Sequence, residues 1–413
     1  MIKNIILLFL FIGSITKAQV IPLTNYDRIN SQLPENSVRC ITFENDSTAW
    51  IGTDAGLAKL EGTTWTIYHP TNSGLPWDDV RAITIDKNND KWIGTANGGF
   101  AQFDGINWTV TNMSNSLLPD DFVRAIAFDS AGVKWIGAGA GGGLSEISTS
   151  NKWNIYQMFS SPIGSNTIAA IYIDSATNDK YVGTVNGGLL IIHDTTFTNY
   201  TLQNSGIPDN TILGITKDNV GNIWIASPAN GLIVKLPSFG WFNYSPFNSS
   251  ISSYGLSSID IDANQDLWIG SIDSGLIKKS GQSFRNFSTV NTTLIDNHVQ
   301  CVRVAPDGKI WFGTSADGVY ILDPALLTSV KSIEVPSLIS IFPNPTNKGF
   351  TNVKSSQLCL NIKLYDLNGK EILQQEVNDY FVKINLENVT KGNYFLMINY
   401  ANGKTVNKKF IVE

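Results

Sequence analysis

Side chains able to do chemistry are sparse in this sequence. It holds three histidines, His69, His193 and His298, in 413 residues, and none stands at metal-ligand spacing from another His or from a Cys. No metal and no cofactor is expected. No G-x-S-x-G nucleophile turn occurs. The acid pairs Asp78-Asp79 and Asp120-Asp121 have the composition for general acid–base work, and equally for capping and solvating loops. The stretch DANQDLW at 262–268 spaces its oxygens like a calcium loop but lacks the central Gly and terminal Glu, so a hairpin turn is expected there. GAGAGGG at 137–143 is glycine-rich but opens no helix, which removes the phosphate-cradle reading. No catalytic constellation emerges, and no enzymatic activity is expected.

The elements that would position such residues are short strands. Only 15% of residues are charged and 42% are hydrophobic, with Gly plentiful, a composition that suits an all-β protein. A formal net charge of -6 excludes a general nucleic-acid binder, which needs a basic stripe. The N-terminus reads as a signal peptide over 1–18: Lys3, an apolar run at 5–12, then Thr16 and Ala18 before the cut. No other stretch approaches about 18 apolar residues, so no transmembrane helix is expected.

One motif recurs at intervals of 42 to 46 residues, opening at Trp50, Trp92, Trp135, Tyr181, Trp224, Trp268 and Trp311. It reads WIGT, WIGT, WIGA, YVGT, WIAS, WIGS and WFGT, each followed by a Gly and an apolar residue. A first strand such as VRCITF or VRAITI precedes each motif, and two further strands follow it. A period of about 40–50 residues with four strands per unit defines a β-propeller blade. The repeats therefore predict a seven-bladed propeller over 19–323. The aromatic serves as the blade-core plug, and the Gly two residues on admits close backbone. Ten residues before the aromatic stand Cys40, Ala82, Ala125, Gly214, Ser258 and Cys301, small as a crowded inner strand requires.

The seventh unit ends before its fourth strand. LTNY at 23–26 matches FTNY at 197–200, a normal fourth strand, so residues 21–28 are expected to complete the last blade and remove its open edge. Cys40 and Cys301 then fall in the same slot of neighbouring blades. They read either as a disulfide in an exported protein or as two small apolar fillers.

The loops leading into each blade carry Asn36, Asp78, Asp121, Asn166, Asn210, Tyr254 and Asn297 at one equivalent position. Arg39, Arg81 and Arg124 stand three residues further on in the first three blades. Two readings stay open: turns stabilised by Asx side chains, or a ligand site at the channel mouth. The Arg trio breaks the sevenfold pattern, and Trp77, Tyr254 and His298 differ locally as well. A sugar or an anionic ligand is the chemistry such a mouth would take.

VRAITIDKNNDKWIGTANGGF and VQCVRVAPDGKIWFGTSADGV resemble the two-component-regulator propeller repeat, over about 21–323. The resemblance implies the propeller fold and a tendency to bind ligands, often glycans. Members often form the extracytoplasmic sensor of histidine kinases. This sequence has one propeller and no kinase, so sensing is not carried over.

From about 330 the period vanishes. A linker is expected over 324–337 and an immunoglobulin-like β-sandwich over 338–413, with hairpin signals at Asn368-Gly369 and Asn402-Gly403. Pro343-Asn344-Pro345, Leu364-Tyr365-Asp366 with Gly369-Lys370, Gly392-Asn393-Tyr394, and Lys408-Lys409 with the FIV that follows resemble the type A C-terminal sorting domain of the type IX secretion system of Bacteroidota. That resemblance implies passage across the outer membrane, then removal of the domain by a cut within 326–337. The passenger would be released or attached to surface lipopolysaccharide. The expectation is a secreted or surface propeller that binds a glycan or a surface protein. The alternatives are a propeller-based polysaccharide lyase or hydrolase, and an accessory part of the export machinery.

Overall fold

The computed structural model describes residues 20–237, 240–329, 339–347, 349–366, 369–400 and 405–413. The signal segment, most of the linker and the Asn402-Gly403 turn lie outside these residues. Two compact units divide at Ala325.

The first unit contains seven four-stranded antiparallel sheets. Six are consecutive in sequence, spanning 38–68, 80–111, 123–156, 168–200, 214–244 and 256–287. The seventh combines the strands of 299–322 with the strand Thr24–Tyr26, whose Asn25 pairs with Tyr320. The inner strands touch in succession, and Val299–Val304 of blade seven touches Val38–Asn45 of blade one. The ring is closed, and the N-terminal segment closes it.

Packing runs head to tail. Trp50 of blade one is buried with Val80, Ile93 and Phe103 of blade two. Trp224 of blade five packs with Leu256, Ile259 and Ile277 of blade six. Six of the seven motif aromatics are at most 7% exposed. Trp311 differs: it is only partly buried, against Phe43 and Val319. The indole N–H finds a carboxylate six residues upstream in four blades: Glu44 for Trp50, Asp86 for Trp92, Asp218 for Trp224 and Asp262 for Trp268. The aromatic is thus pinned as well as packed, which satisfies a buried donor.

Head-to-tail packing also decides the cysteines. Cys40 and Cys301 are not bonded to each other. Each side chain faces the following blade, the Cys40 thiol donating to the Val80 carbonyl and the Cys301 thiol to the Val38 carbonyl, both at 3.9 Å. Equivalent positions in a cyclic array point the same way round and cannot meet. Burial pushes both thiols up, Cys301 to about 11.

The second unit has five strands: Ile339–Phe342, Phe350–Tyr365, Glu371–Asn385, Gly392–Tyr400 and Thr405–Val412. They form one sheet rather than two. The long strand Phe350–Tyr365 shifts register between Lys354 and Cys359. Val353 and Ile384 on one side of this break share one core with Ile362, Leu396, Ile398 and Phe410 on the other. The sandwich is therefore a single sheet folded over itself. Gly369, at φ +80°, closes the turn after the long strand, its N–H donating to the Asp366 carbonyl at 3.1 Å.

Candidate functional site

Each inner strand opens with an irregularity. Register shifts between Val38 and Cys40, Val80 and Ala82, Val123 and Ala125, Ile168 and Ala170, Leu256 and Ser258, and Val299 and Cys301 leave one unpaired residue in six blades. A bulge re-aims its extra residue. The residues so placed are Arg39, Arg81, Arg124, Ala169, Ser257 and Gln300, and Leu213 holds the same position in blade five. One arc of the mouth is cationic, and the rest is small, apolar or amide.

The arc is only partly neutralised. Arg39 donates to Gln300 Oε1 on the neighbouring inner strand and pairs with Asp54 at 3.1 Å. Gln300 Nε2 in turn donates to Ser37 Oγ at 3.1 Å. Arg81 pairs with Asp79 and lies 5.5 Å from the Phe122 ring centroid. The Nε groups of Arg39 and Arg81 are enclosed without a hydrogen-bond partner. Arg124 is partly buried and, among the described residues, has neither an ion pair nor a hydrogen bond. Burial, and then the charges of Arg81 and Arg39, push its guanidinium below the ordinary value. A negative charge placed there would offset the repulsion from Arg81 and Arg39.

The Asn and Asp ring has a different job. Asn36, Asp121, Asn166, Asn210 and Asn297 each accept, at 2.7–3.0 Å, the backbone N–H of the residue eight positions back: Arg28, Met113, Met158, Leu202 and Thr289. Their backbone carbonyls receive a glycine N–H from the preceding blade's turn, as Gly188 N to Asn210 O at 2.8 Å. The exceptions follow from proline. Pro70 stands eight residues before Asp78 and offers no N–H, so Asp78 takes the imidazole Nδ1 of His69 at 3.0 Å instead. Pro246 stands eight before Tyr254, where no acceptor is needed. The local asymmetry at Tyr254 thus has a backbone cause. These residues hold the loops that frame the inner-strand starts.

Of the remaining candidates, His298 lies on blade seven beside the arc, its N–H donating to Asp296 at 2.8 Å. Trp77 and Tyr254 are 45% and 48% exposed on the same loop face. His193 is elsewhere, bound to Asp179 at 2.6 Å, and that hydrogen bond raises its pKa. No group of three or more metal-ligating side chains occurs among the described residues. Gln300, Asp54 and Phe122 touch these arginines and were missed by sequence reasoning, whereas Asp79 was singled out there only as half of an acid pair. Gln300 was within reach, since it follows Asn297 by three residues as Arg39 follows Asn36.

In the second unit the sorting-type residues hold the sheet's ends together. Asn344 of the Pro343-Asn344-Pro345 turn donates to the Lys409 carbonyl at 3.2 Å and accepts from Ile411 N at 3.0 Å. Tyr394, two residues after Gly392, donates to the Thr390 carbonyl at 2.6 Å. The Lys409 side chain is exposed beside buried Phe410.

Fold and site define a seven-bladed β-propeller with three arginines at the starts of its first three inner strands, followed by a separate one-sheet β-unit. The chain carries two-component regulator propeller repeats, matched at 206–229 and 293–316, and a secretion system C-terminal sorting domain, matched at 340–413. No match was found among curated proteins. Among solved structures the chain is similar to PorZ, a surface component of the type IX secretion system of Porphyromonas gingivalis (TM-score 0.58, 18% identity, 92% of this chain and 59% of that one). It is similar to the extracellular domain of the hybrid two-component system BT3049 of B. thetaiotaomicron (0.65, 20%, 94% and 57%). It is also similar to virginiamycin B lyase from Staphylococcus aureus (0.58, 16%, 72% and 98%). The chain thus spans under three fifths of the length of PorZ and of the BT3049 domain. At these identities the likeness concerns the fold. The sorting domain marks a protein exported across the outer membrane to the cell surface or beyond. Among the described residues no helix is long and apolar enough to cross a membrane.

Proposed function

We propose that this exported propeller is a binding module that grips an acidic glycan at its channel mouth. The observation that carries the reading is Arg124. It is partly buried beside Arg39 and Arg81, and no carboxylate among the described residues answers it. A desolvated cation without a partner is costly unless a ligand supplies the charge. A uronate or sulfate group fits the forked donors of an arginine cluster. Trp77 and Tyr254 offer exposed rings on the same face for the sugar. A thermal-shift panel of neutral and acidic oligosaccharides tests this. Acidic members should stabilise the protein, by about 2.7 kcal/mol at a hundredfold excess over Kd. The shift should vanish in Arg124→Ala, and the glycan should stay intact.

A second reading, a lyase, rests on Asp260, whose oxygens accept the Ile261 and Val304 backbone N–H groups at 2.9 Å. Three residues deeper along the inner strands, burial raises the Asp260 carboxyl, and the Arg303 charge opposes this. Degradation of a glycan by the protein, lost in Asp260→Asn, would put that reading first. A role beside the export machinery draws support from the likeness to PorZ alone. Co-purification with secretion components would advance it.

A further inference from the structure

A lysine ammonium lies over the motif aromatic in six of the seven blades. Lys91 lies 5.6 Å from the ring centroid of Trp50, Lys134 5.0 Å from Trp92, and Lys180 5.5 Å from Trp135. Lys217 lies 5.9 Å from Tyr181, Lys279 4.5 Å from Trp224, and Lys278 4.9 Å from Trp268. All but Lys278 come from the following blade. Among the described residues no cation stands over Trp311. The place of Lys91, Lys134 and Lys180, immediately before the next blade's aromatic, is held in blade one by Ala49. The upstream carboxylate that accepts the indole N–H in four blades is replaced by Ala305.

Both alanines line one cavity. A cavity of about 320 Å³ opens between blades seven and one, lined by Trp311, Phe43, Tyr26, Ala49, Ala305 and Asp46 among others. Phe43 meets Trp311 edge-on at 5.5 Å, and Tyr26 lies 6.5 Å from it. Asp307 and Lys309 also line the cavity and are paired with each other at 2.5 Å. Asp46 has no partner among the described residues, so the lining is net negative. The site lies at the strand ends opposite the arginine mouth and is independent of it.

We propose that this inter-blade pocket binds a primary alkylammonium group, from a lysine side chain of a partner polypeptide or from an amino sugar. The ligand would fill from outside the place that a lysine fills from within in the other blades. Its ammonium would lie over the Trp311 face near Asp46, and its stem along Phe43 and Tyr26. The pocket has aromatic walls and the unpaired Asp46 carboxylate, with Lys309 already paired to Asp307.

The test is an NMR titration of the intact ¹⁵N-labelled protein, reading the tryptophan indole N–H signals, with Trp311 assigned by Trp311→Phe. Nα-acetyl-lysine methylamide should shift the Trp311 signal saturably and leave the other indoles still. Its Nε-acetylated, neutral form should bind at least about tenfold more weakly. Ala49→Lys, which restores the residue found in blades two to four, should abolish the titration without loss of fold. Glucosamine forms a second arm: equal or tighter binding assigns the site to amino sugars, and no binding assigns it to a polypeptide lysine. An unmoved Trp311 signal with both amines, equal binding of the neutral analogue, or unchanged binding in folded Ala49→Lys would overturn the proposal.

Discussion

Replacing Asp262 by alanine should destabilise the propeller by about 3 kcal/mol. The reasoning starts from Trp268, which is fully buried and donates its indole N–H to Asp262 Oδ2 at 2.9 Å. The other oxygen of Asp262 accepts from Asn264 N at 2.9 Å and Asp266 N at 3.0 Å, forming the turn. Alanine leaves the indole N–H buried and unpaired, at about 1–3 kcal/mol. The two turn bonds add less, because that turn is open to water and its N–H groups can be rehydrated. Asp262→Asn should cost about 1–2 kcal/mol, since its oxygen can hold the turn while its amide opposes the indole donor. In a Trp268→Phe background the donor is gone, and Asp262→Ala should cost about 1–2 kcal/mol less than in the native chain. Urea unfolding followed by far-ultraviolet circular dichroism measures all four. A loss below about 0.5 kcal/mol for Asp262→Ala, or equal losses in both backgrounds, would refute the pinned-aromatic argument and leave the tryptophan as a plug only.

Other consequences can be measured on the same protein. Burial alone would raise the Glu44 carboxyl, but hydrogen bonds from Asn89 and Trp50, with Lys91 at 3.0 Å, lower it from an ordinary 4.5 to about 2. Its stabilisation is complete above pH 4.5 and lost as pH falls towards 2, so Glu44→Gln should flatten the acid limb of a stability–pH curve. Gly188 sits at φ +80°, and an added Cβ would meet the Tyr200 carbonyl at 2.0 Å, so Gly188→Ala should lower the melting temperature by several degrees, on the order of 2–4 kcal/mol. Deleting residues 20–26 removes the Thr24–Tyr26 strand and bares the edge of blade seven, and light scattering should report aggregation on mild heating.

The architecture was legible because propeller physics repeats. A buried aromatic, a glycine and a small inner-strand residue recur at one period, and the match of LTNY to FTNY pointed to the strand that pairs with blade seven. The mouth was legible only in part. Arg39, Arg81 and Arg124 stood out by breaking the pattern, but the bulge that aims them is a property of strand pairing that spacing does not reveal. The ring of Asn and Asp looked like a site because its exceptions looked like design. Pro70 and Pro246, eight residues upstream, explain those exceptions, and the sequence shows them only once the hydrogen bond is known. The carboxylates six residues before Trp50, Trp92, Trp224 and Trp268 were equally periodic. They hid among ordinary turn acids until the indole N–H gave them a purpose. Ala305 and Ala49 look unremarkable until the residues they replace are known.

The central claim, that the arginine arc recognises an acidic ligand, is tested most directly by calorimetric titration of one oligosaccharide in its uronate form and its neutral, carboxyl-reduced form. The intact protein should bind the uronate and bind the neutral form at least about tenfold more weakly. Arg124→Ala should lose the uronate by a similar factor while melting within about 0.5 kcal/mol of the native protein. Equal affinity for the two forms, or unchanged uronate binding in Arg124→Ala, would contradict the account.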